Sequence, residues 1–326
     1  MGVKCLKSRF DRFDLTFKSK PFDVVGFGFN SVDQLCIVPE FPNPDSKTEI
    51  LQYAKLAGGQ TATALVFLAR MGLRVKYIGK IGGDQNGQIS LQSLKGEDLD
   101  ISNVMVEEKC INHHAIIIID QNLGERTILC QSDPNMMFAE DELKREDICA
   151  GRILHIDGYD PCSALRASIW CQEQGIYVSA DLDRVVPGCE EIIKHVDFLI
   201  TSKDFPSELT GNRDLTQSIS ELGNCFGGFL AVTLGKQGAI AWIEGRCEYF
   251  PALEIKAVDT TGAGDIFHGA FLYGILQNWP LNSIMAFANA AAGLSCKYLG
   301  ARTGIRPLSE IMEYAQQLMA TSVQGN

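Results

Sequence analysis

The sequence predicts an α/β/α sandwich, in which a mainly parallel sheet lies between two layers of helices and a small β lid covers one edge. Apolar strand-like runs alternate with amphipathic helical segments over most of the chain, three helices follow one another from Gly264 onward, and two regions contain strands without helices. Strand–helix alternation requires right-handed crossovers, which build a parallel sheet covered on both faces. The 326 residues show no low-complexity linker or internal repeat, so we expect one domain.

Short apolar runs predict the strands of the main sheet, and apolar residues at helical spacing predict the helices between them. We expect strands at residues 23–27, 75–79, 153–156, 178–181, 198–200, 230–234 and 239–243. We expect helices at residues 61–70, 87–94, 164–174 and 215–222, and then at about 264–277, 281–298 and 308–320.

Two regions that break the alternation predict the lid. Residues 35–38 and 48–56 are strand-like and follow the first strand without a helix. Residues 113–120 and 126–131 flank a four-residue turn and predict a hairpin. Strands without helices of their own must cover another surface. We therefore place lid segments near residues 35–56 and 110–131 of a domain that spans residues 22–326.

The composition restricts the partners and the location of the protein. The formal net charge of −11 repels nucleic acids and anionic membranes, and no apolar run reaches the about 18 residues that span a membrane. The eleven cysteines include no C-x-x-C pair, which favours reduced thiols in the cytoplasm. Residues 1–21 are basic but lack the apolar core of a secretory signal, and we expect them to form a disordered tail.

The motif DTTGAGD at residues 259–265 is the strongest local signal for chemistry. Its glycines allow a sharp turn in which successive N–H groups point at one place, and the helix that follows directs its positive end there. Gly262, Ala263 and Gly264 therefore predict an anion hole for a phosphoryl group. Asp265 places a carboxylate beside this hole, where it can accept the proton of an attacking hydroxyl. A purely structural glycine turn with an acidic helix start is the alternative reading of the motif alone.

Two common nucleotide motifs are absent. The chain contains no G-x-x-x-x-G-K-[ST], which excludes a P-loop. Gly26 and Gly28 follow a strand, but the third glycine of a dinucleotide site is missing and the chain continues into another strand instead of a helix. The later glycine motif remains as the candidate phosphate site.

Two signatures in the correct order resemble the ribokinase-like (PfkB) carbohydrate kinases. The GAGD before a late helix resembles the second signature of this family, and AGGQTATA at residues 57–64 is similar to the first. The resemblance covers residues 22–308, with the closest similarity to the ketohexokinase-like and fructokinase-like members. It implies the ribokinase-like fold and ATP-dependent phosphorylation of a sugar, with Mg²⁺ and possible activation by K⁺.

The resemblance also implies which residues bind the sugar. Asp33 matches the carboxylate that binds sugar hydroxyls, and Asn30 either holds the same turn or touches the sugar. The remaining matches are the glycine turn, two positions where relatives often have Asn, and a lid arginine that comes near the phosphate or the substrate. These residues are Gly58, Gly59, Gln60, Thr63 and Arg126.

The nucleotide and cation positions follow from the same resemblance. Ser202, Thr233, Gly235, Gly238 and Asn289 match the nucleotide site, with Asn289 in the adenine pocket. The chain departs from the N-x-x-E motif that organises magnesium in relatives, because Ser202 and Phe205 stand at its Asn and Glu positions. Asp259 and Thr261 match a monovalent-cation site.

Several alternatives stay open at this point. The same fold serves nucleoside and vitamin kinases, and it can also serve as a ligand-sensing homologue with little catalysis. Similar kinases often pair their lids, so the resemblance further implies a homodimer through the lid strands. The sequence alone does not name the sugar or the hydroxyl.

Overall fold

The computed structural model describes residues 13–122 and 126–323, with side chains up to residue 320. Within this part of the chain, nine strands form the main sheet, in the order β13-β12-β11-β10-β9-β8-β1-β4-β5. Adjacent strands are parallel except in the pairs β11–β12 and β12–β13. The strands are β1 Phe22–Phe27, β4 Val75–Gly82, β5 Asp100–Glu107, β8 Gly151–Asp157, β9 Tyr177–Leu182, β10 Phe198–Ser202, β11 Phe229–Thr233, β12 Ala239–Ile243 and β13 Arg246–Phe250.

Four further strands form a second sheet at the predicted position of the lid. They are β2 Ser31–Val38, β3 Gln52–Gly58, β6 His114–Asp120 and β7 Arg126–Gln131, in the order β3-β2-β6-β7. β2 and β6 are parallel, whereas the outer pairs are antiparallel. The lid therefore joins the two chain regions that the sequence analysis selected.

The helices cover both faces of the main sheet. They are α1 Gln60–Arg70, α2 Gln85–Lys95, α3 Arg145–Ile148, α4 Pro161–Glu173, α5 Cys189–Ile193, α6 Phe205–Thr210, α7 Leu215–Cys225, α8 Ala263–Leu276, α9 Leu281–Ser295 and α10 Leu308–Val323. Among the described helices, none is long and apolar enough to cross a bilayer. The predicted three-layer fold is confirmed.

Alternate residues of each central strand enter opposite cores. In β10, Phe198 and Ile200 lie in the core that includes α1, α8 and α9, whereas Leu199 lies in the core on the other face, with α4. A parallel sheet covered on both sides requires this near-continuous apolar sequence. The same pattern made the central strands predictable.

The two edge strands were not expected from the sequence. β5 and β13 form the edges of the main sheet, and polar or charged residues interrupt both of them (DISNVMVE and RCEYF). An edge strand is less completely covered than a central one and tolerates such residues. An apolar run is therefore a poor signal for edge strands.

Residues 13–21 correct the expectation of a disordered tail over residues 1–21. Phe13 is only 6% exposed, and its ring makes edge-to-face contacts with three buried phenylalanines at centroid distances of 5.2–6.4 Å: Phe198, Phe229 and Phe271. Aromatic contacts of this geometry add to the apolar burial that holds the segment in place. Residues 1–12 lie outside the described residues.

We expect Phe13→Ala to lower the free energy of unfolding by about 3 kcal/mol, because it removes a buried ring and leaves a cavity. Phe41→Ala is the matched control, since Phe41 is 49% exposed and its loss should change stability by less than about 0.5 kcal/mol. Chemical denaturation of both variants checks this. Equally small changes would show that the segment adds nothing to the core.

Candidate active site

The register of the lid places Asp33 and Arg126 on its inner face. Asp33 has the same parity along β2 as Leu35 and Ile37, which lie in the buried core of the lid. Arg126 pairs with Ile119, another member of that core. The Arg126 guanidinium donates to the hydroxyl of Thr260, so the lid contacts the loop that precedes α8.

The loop ahead of α8 is fixed by the buried side chain of Asp259. Its Oδ1 accepts hydrogen bonds from the Thr261 N–H (2.9 Å) and hydroxyl (2.7 Å), and its Oδ2 accepts one from the Gly300 N–H (2.8 Å). Gly262 then adopts a φ of 77° and lies against Ala301, where a Cβ would come within 2.5 Å of the alanine Cβ. The motif thus needs glycine at this position for both its conformation and its packing.

The predicted anion hole lies at the N-terminus of α8, which begins at Ala263 directly after Gly262. The first N–H groups of a helix have no intrahelical acceptor and favour a negative charge. The Ala263 N–H donates weakly to Thr260 O (3.3 Å). Asp265 lies in the first turn beside these groups.

Asp265 lies among other carboxylates. Burial raises the pKa of Asp265 well above its ordinary value, and the nearby charges of Asp181 and Asp33 add to this effect, whereas Arg126 opposes it. A higher pKa makes the carboxylate a stronger base. The neighbouring positive charge of Arg126 and the helix N-terminus favour its ionised form.

Asp33 depends on two glycines of the turn before α1. A Cβ on Gly58 would overlap the Asp33 carboxylate, and one on Gly59, which has a φ of 97°, would lie 2.7 Å from Phe29 O. Burial raises the pKa of the Asp33 carboxyl to about 6. The Ser31 hydroxyl donates a hydrogen bond to this carboxylate (3.1 Å) and offsets part of the rise. Asp33 and these glycines thus lie together at the start of α1.

Asn30 and Thr63, two of the residues predicted near the sugar, are buried and bonded within the protein. The Asn30 amide is 1% exposed; its Nδ2 donates to Ser90 O (3.3 Å) and its Oδ1 accepts from Arg302 (2.8 Å). The hydroxyl of Thr63, which is fully buried, accepts from Arg302 Nε (3.3 Å). Of the two roles expected for Asn30, its contacts are those of a residue that holds the turn.

A buried pair that the sequence analysis did not connect lies behind Asp265. His268 Nε2 and Asp181 Oδ1 are 3.1 Å apart, and the Gln60 side chain also bonds to Asp181. Burial and the charge of Asp183 raise the pKa of Asp181, while burial lowers that of His268 to about 3. This contact joins α8 to the end of β9.

Ser202 and Thr233 lie side by side at the carboxyl ends of β10 and β11, where they are register partners. The Ser202 hydroxyl donates to Asp183 O (2.8 Å), and the Thr233 hydroxyl donates to Thr201 O (3.2 Å). Ligands of open α/β sheets bind at this edge. The structure thus brings two of the predicted nucleotide residues together.

Gly238 and Asn289 converge on the chain that follows β13. Gly238 has a φ of 97°, and a Cβ there would overlap Phe250 O. The buried Asn289 amide donates to the carbonyls of residues 250 and 251 at 3.1 and 3.0 Å. Gly235, with a φ of 58°, opens the short turn between β11 and β12.

The predicted cation residues Asp259 and Thr261 already bond to each other, as described above. Within the residues that the structure describes, no three His, Cys, Asp or Glu side chains are grouped to hold a metal ion.

An α/β sandwich with a β lid and an acidic helix start behind a glycine loop defines a class of small-molecule kinases, and the comparisons agree. The family model described as "pfkB family carbohydrate kinase" matches residues 23–308, and the chain belongs to this family. It is a phosphotransferase of the sugar- or nucleoside-kinase class.

Individual relatives cover nearly the whole chain. A nucleoside kinase of Methanothermobacter thermautotrophicus is 24% identical over 90% of this chain and 96% of its own. A probable fructokinase-2 of Arabidopsis thaliana is 27% identical over 85% and 91%. A solved putative ribokinase from Agrobacterium tumefaciens superposes with a TM-score of 0.83 at 26% identity, over 92% of this chain and 99% of the other.

We expect Asp265→Asn to raise the free energy of unfolding of the ligand-free protein by about 0.5–2 kcal/mol at pH 8. The folded pKa of Asp265 is higher than its unfolded pKa, so the folded state binds more protons, and the carboxylate loses stability as the pH rises. The gain should therefore shrink at pH 5. Thermal denaturation of both proteins at both pH values checks this. A variant that is no more stable than the wild type at pH 8 would contradict it.

Proposed function

We propose that the protein transfers the γ-phosphoryl group of ATP to a hydroxyl of a small sugar, with Asp265 as the general base. The observation that supports this most strongly is the position of Asp265 in the first turn of α8, immediately after the turn at Gly262. A carboxylate beside a helix N-terminus can take a proton while the N–H groups stabilise phosphoryl charge.

The two halves of the site suit two substrates. Asp33, Gly58 and Gly59 would bind the sugar beneath the lid. Mg-ATP would lie across the ends of β10 and β11, with its phosphates near Ser202 and Thr233 and its nucleoside near the turn at residues 235–238. Arg126 contacts Thr260 from above, so a closed lid would place positive charge over the transferred group.

Magnesium would enter as part of the Mg-ATP substrate. Ser202 and Phe205 supply neither the amide nor the carboxylate of the usual N-x-x-E motif, and Asp181 is committed to His268. We therefore propose that phosphate oxygens hold the ion. Activation by K⁺ at Asp259 has less support, because both oxygens of that carboxylate already accept hydrogen bonds.

A nucleoside is the second candidate acceptor, and one observation favours it: the similarity to a nucleoside kinase along 90% of this chain. The experiment that separates the two candidates measures ADP release with ketoses, aldoses, sugar acids and nucleosides. Turnover with a monosaccharide supports the proposal, and turnover with nucleosides alone replaces it. No turnover with any of them would favour a ligand-sensing homologue.

We place the protein in the cytoplasm and expect no nucleic-acid or membrane partner. All ten cysteines in the described part of the chain are free thiols, as suits a reducing compartment. The net charge of −11 works against binding to polyanions.

We expect a homodimer formed through the outer face of the lid. Ile116 and Leu129 pair across β6 and β7 and are 40% and 56% exposed, and Tyr53 on β3 is 54% exposed. Apolar side chains on an uncovered sheet are a liability unless another chain covers them. Light scattering at micromolar concentration should give twice the chain mass, and Leu129→Glu should give a monomer. A monomeric wild type would remove this proposal.

We expect Asp265→Asn to lower kcat by at least about 100-fold, because Asn preserves the size of the side chain but cannot accept the proton. Asp33→Asn is the matched comparison. It should raise the KM for the sugar about tenfold or more, because a charge-assisted acceptor becomes neutral, with a smaller effect on kcat. Steady-state kinetics of both variants checks the split. Retention of more than about a tenth of kcat by Asp265→Asn would reject this residue as the base.

A further inference from the structure

Arg302 is a buried cation in the segment that follows α9. It is 6% exposed, and its guanidinium donates to four neutral acceptors on three separate chain regions. These are Thr63 Oγ1 (3.3 Å), Ser93 Oγ (2.9 Å), Asn30 Oδ1 (2.8 Å) and Gly58 O (2.5 Å). Burial of a charge is costly unless hydrogen bonds and opposite charges compensate for it.

Arg302 belongs to a three-residue bridge between the two halves of the site, residues 300–302. The Gly300 N–H donates to Asp259 in the loop before α8. Ala301 packs on Gly262, the residue that directly precedes α8. Arg302 then donates a hydrogen bond to Gly58 O, in the turn before α1. One short segment thus contacts both the loop before α8 and the turn at Gly58, which lies against Asp33.

The charge of Arg302 also acts on Asp33. The groups that face the Asp33 carboxylate are the Ser31 hydroxyl, Gly58, and the charges of Arg302, Asp259, Arg126 and Asp265. Arg302 and Arg126 favour the ionised form of Asp33, and Asp259 opposes it. Arg126 is exposed on the lid, whereas Arg302 is fixed by its four acceptors.

We propose that Arg302 is a positioning residue that holds the turn at Gly58 in place relative to the loop before α8 and sets a fixed positive charge beside Asp33. The expected effects of Arg302 on kinetics rest on the proposed function. The energetic coupling between the Arg302 and Asp33 side chains does not. The first experiment therefore measures stability alone.

The stability experiment compares Arg302→Met in the wild-type background with Arg302→Met in the Asp33→Asn background. At pH 8 we expect a clearly larger loss of melting temperature in the wild-type background, because a buried carboxylate loses its fixed counter-charge. The difference between backgrounds should shrink at pH 5, where Asp33, with a pKa of about 6, is protonated. A variant that folds only in the Asp33→Asn background would also support the proposal.

Two controls complete the design. Arg302→Lys keeps the charge and should lose similar stability in both backgrounds. Arg306→Met makes the same change at a nearby arginine that pairs with Glu310. Its loss of stability should be the same in the wild-type and Asp33→Asn backgrounds. Equal losses for Arg302→Met at pH 8, or failure to fold in both backgrounds, would overturn the proposal and leave Arg302 a structural residue.

The kinetic experiment uses Arg302→Lys. Loss of the guanidinium fork should raise the KM for the acceptor about ten- to a hundred-fold, as expected for lost hydrogen bonds to a charged group, and leave the KM for ATP within about twofold. Equal changes in both KM values, or no change in either, would overturn the positioning role. Absence of turnover by the wild type would instead reject the proposed function, while the stability experiment would still decide the role of Arg302.

Discussion

The arrangement of the site depends on one buried carboxylate, Asp259. It accepts two hydrogen bonds from Thr261, which close a local turn, and one from the Gly300 N–H, which joins this turn to the segment after α9. This fixes the place where Gly262 turns and α8 begins, and with it the direction of the helix N-terminus. The position of Asp265 follows from that start, and the position of Arg302 follows from Gly300 two residues earlier. A change at Asp259 would therefore disturb both halves of the site at once.

The same arrangement brings buried carboxylates together at a cost in stability. Burial raises the pKa of Asp33, Asp181 and Asp265, and they lie close enough for their charges to repel one another. In the ligand-free protein this repulsion is unfavourable at neutral pH. The cations that oppose it are Arg126 on the lid and Arg302 in the interior, and the chain order places them on different elements. Active sites commonly retain such unfavourable groups, because their chemistry requires them.

The sequence predicted what local pattern determines. The central strands were predicted because burial on both faces requires apolar runs, and the start of α8 was predicted because a glycine turn precedes an apolar helix. The contacts of Asn30 and Thr63 with Arg302 were not predictable, because Arg302 lies more than 200 residues away in the chain. Arg302 itself looks like any surface arginine in a polar segment. Phe13 was overlooked because the basic residues around it suggested a solvated tail.

The most direct test follows the γ-phosphoryl group itself. ATP labelled in that group is incubated with the enzyme and the acceptor selected by ADP release, and the products are separated. We predict that the label appears on a hydroxyl of the acceptor in an amount equal to the ADP formed. We also predict that Asp265→Asn reduces this transfer by at least about 100-fold. Label released only as inorganic phosphate, or transfer that persists in Asp265→Asn, would contradict it.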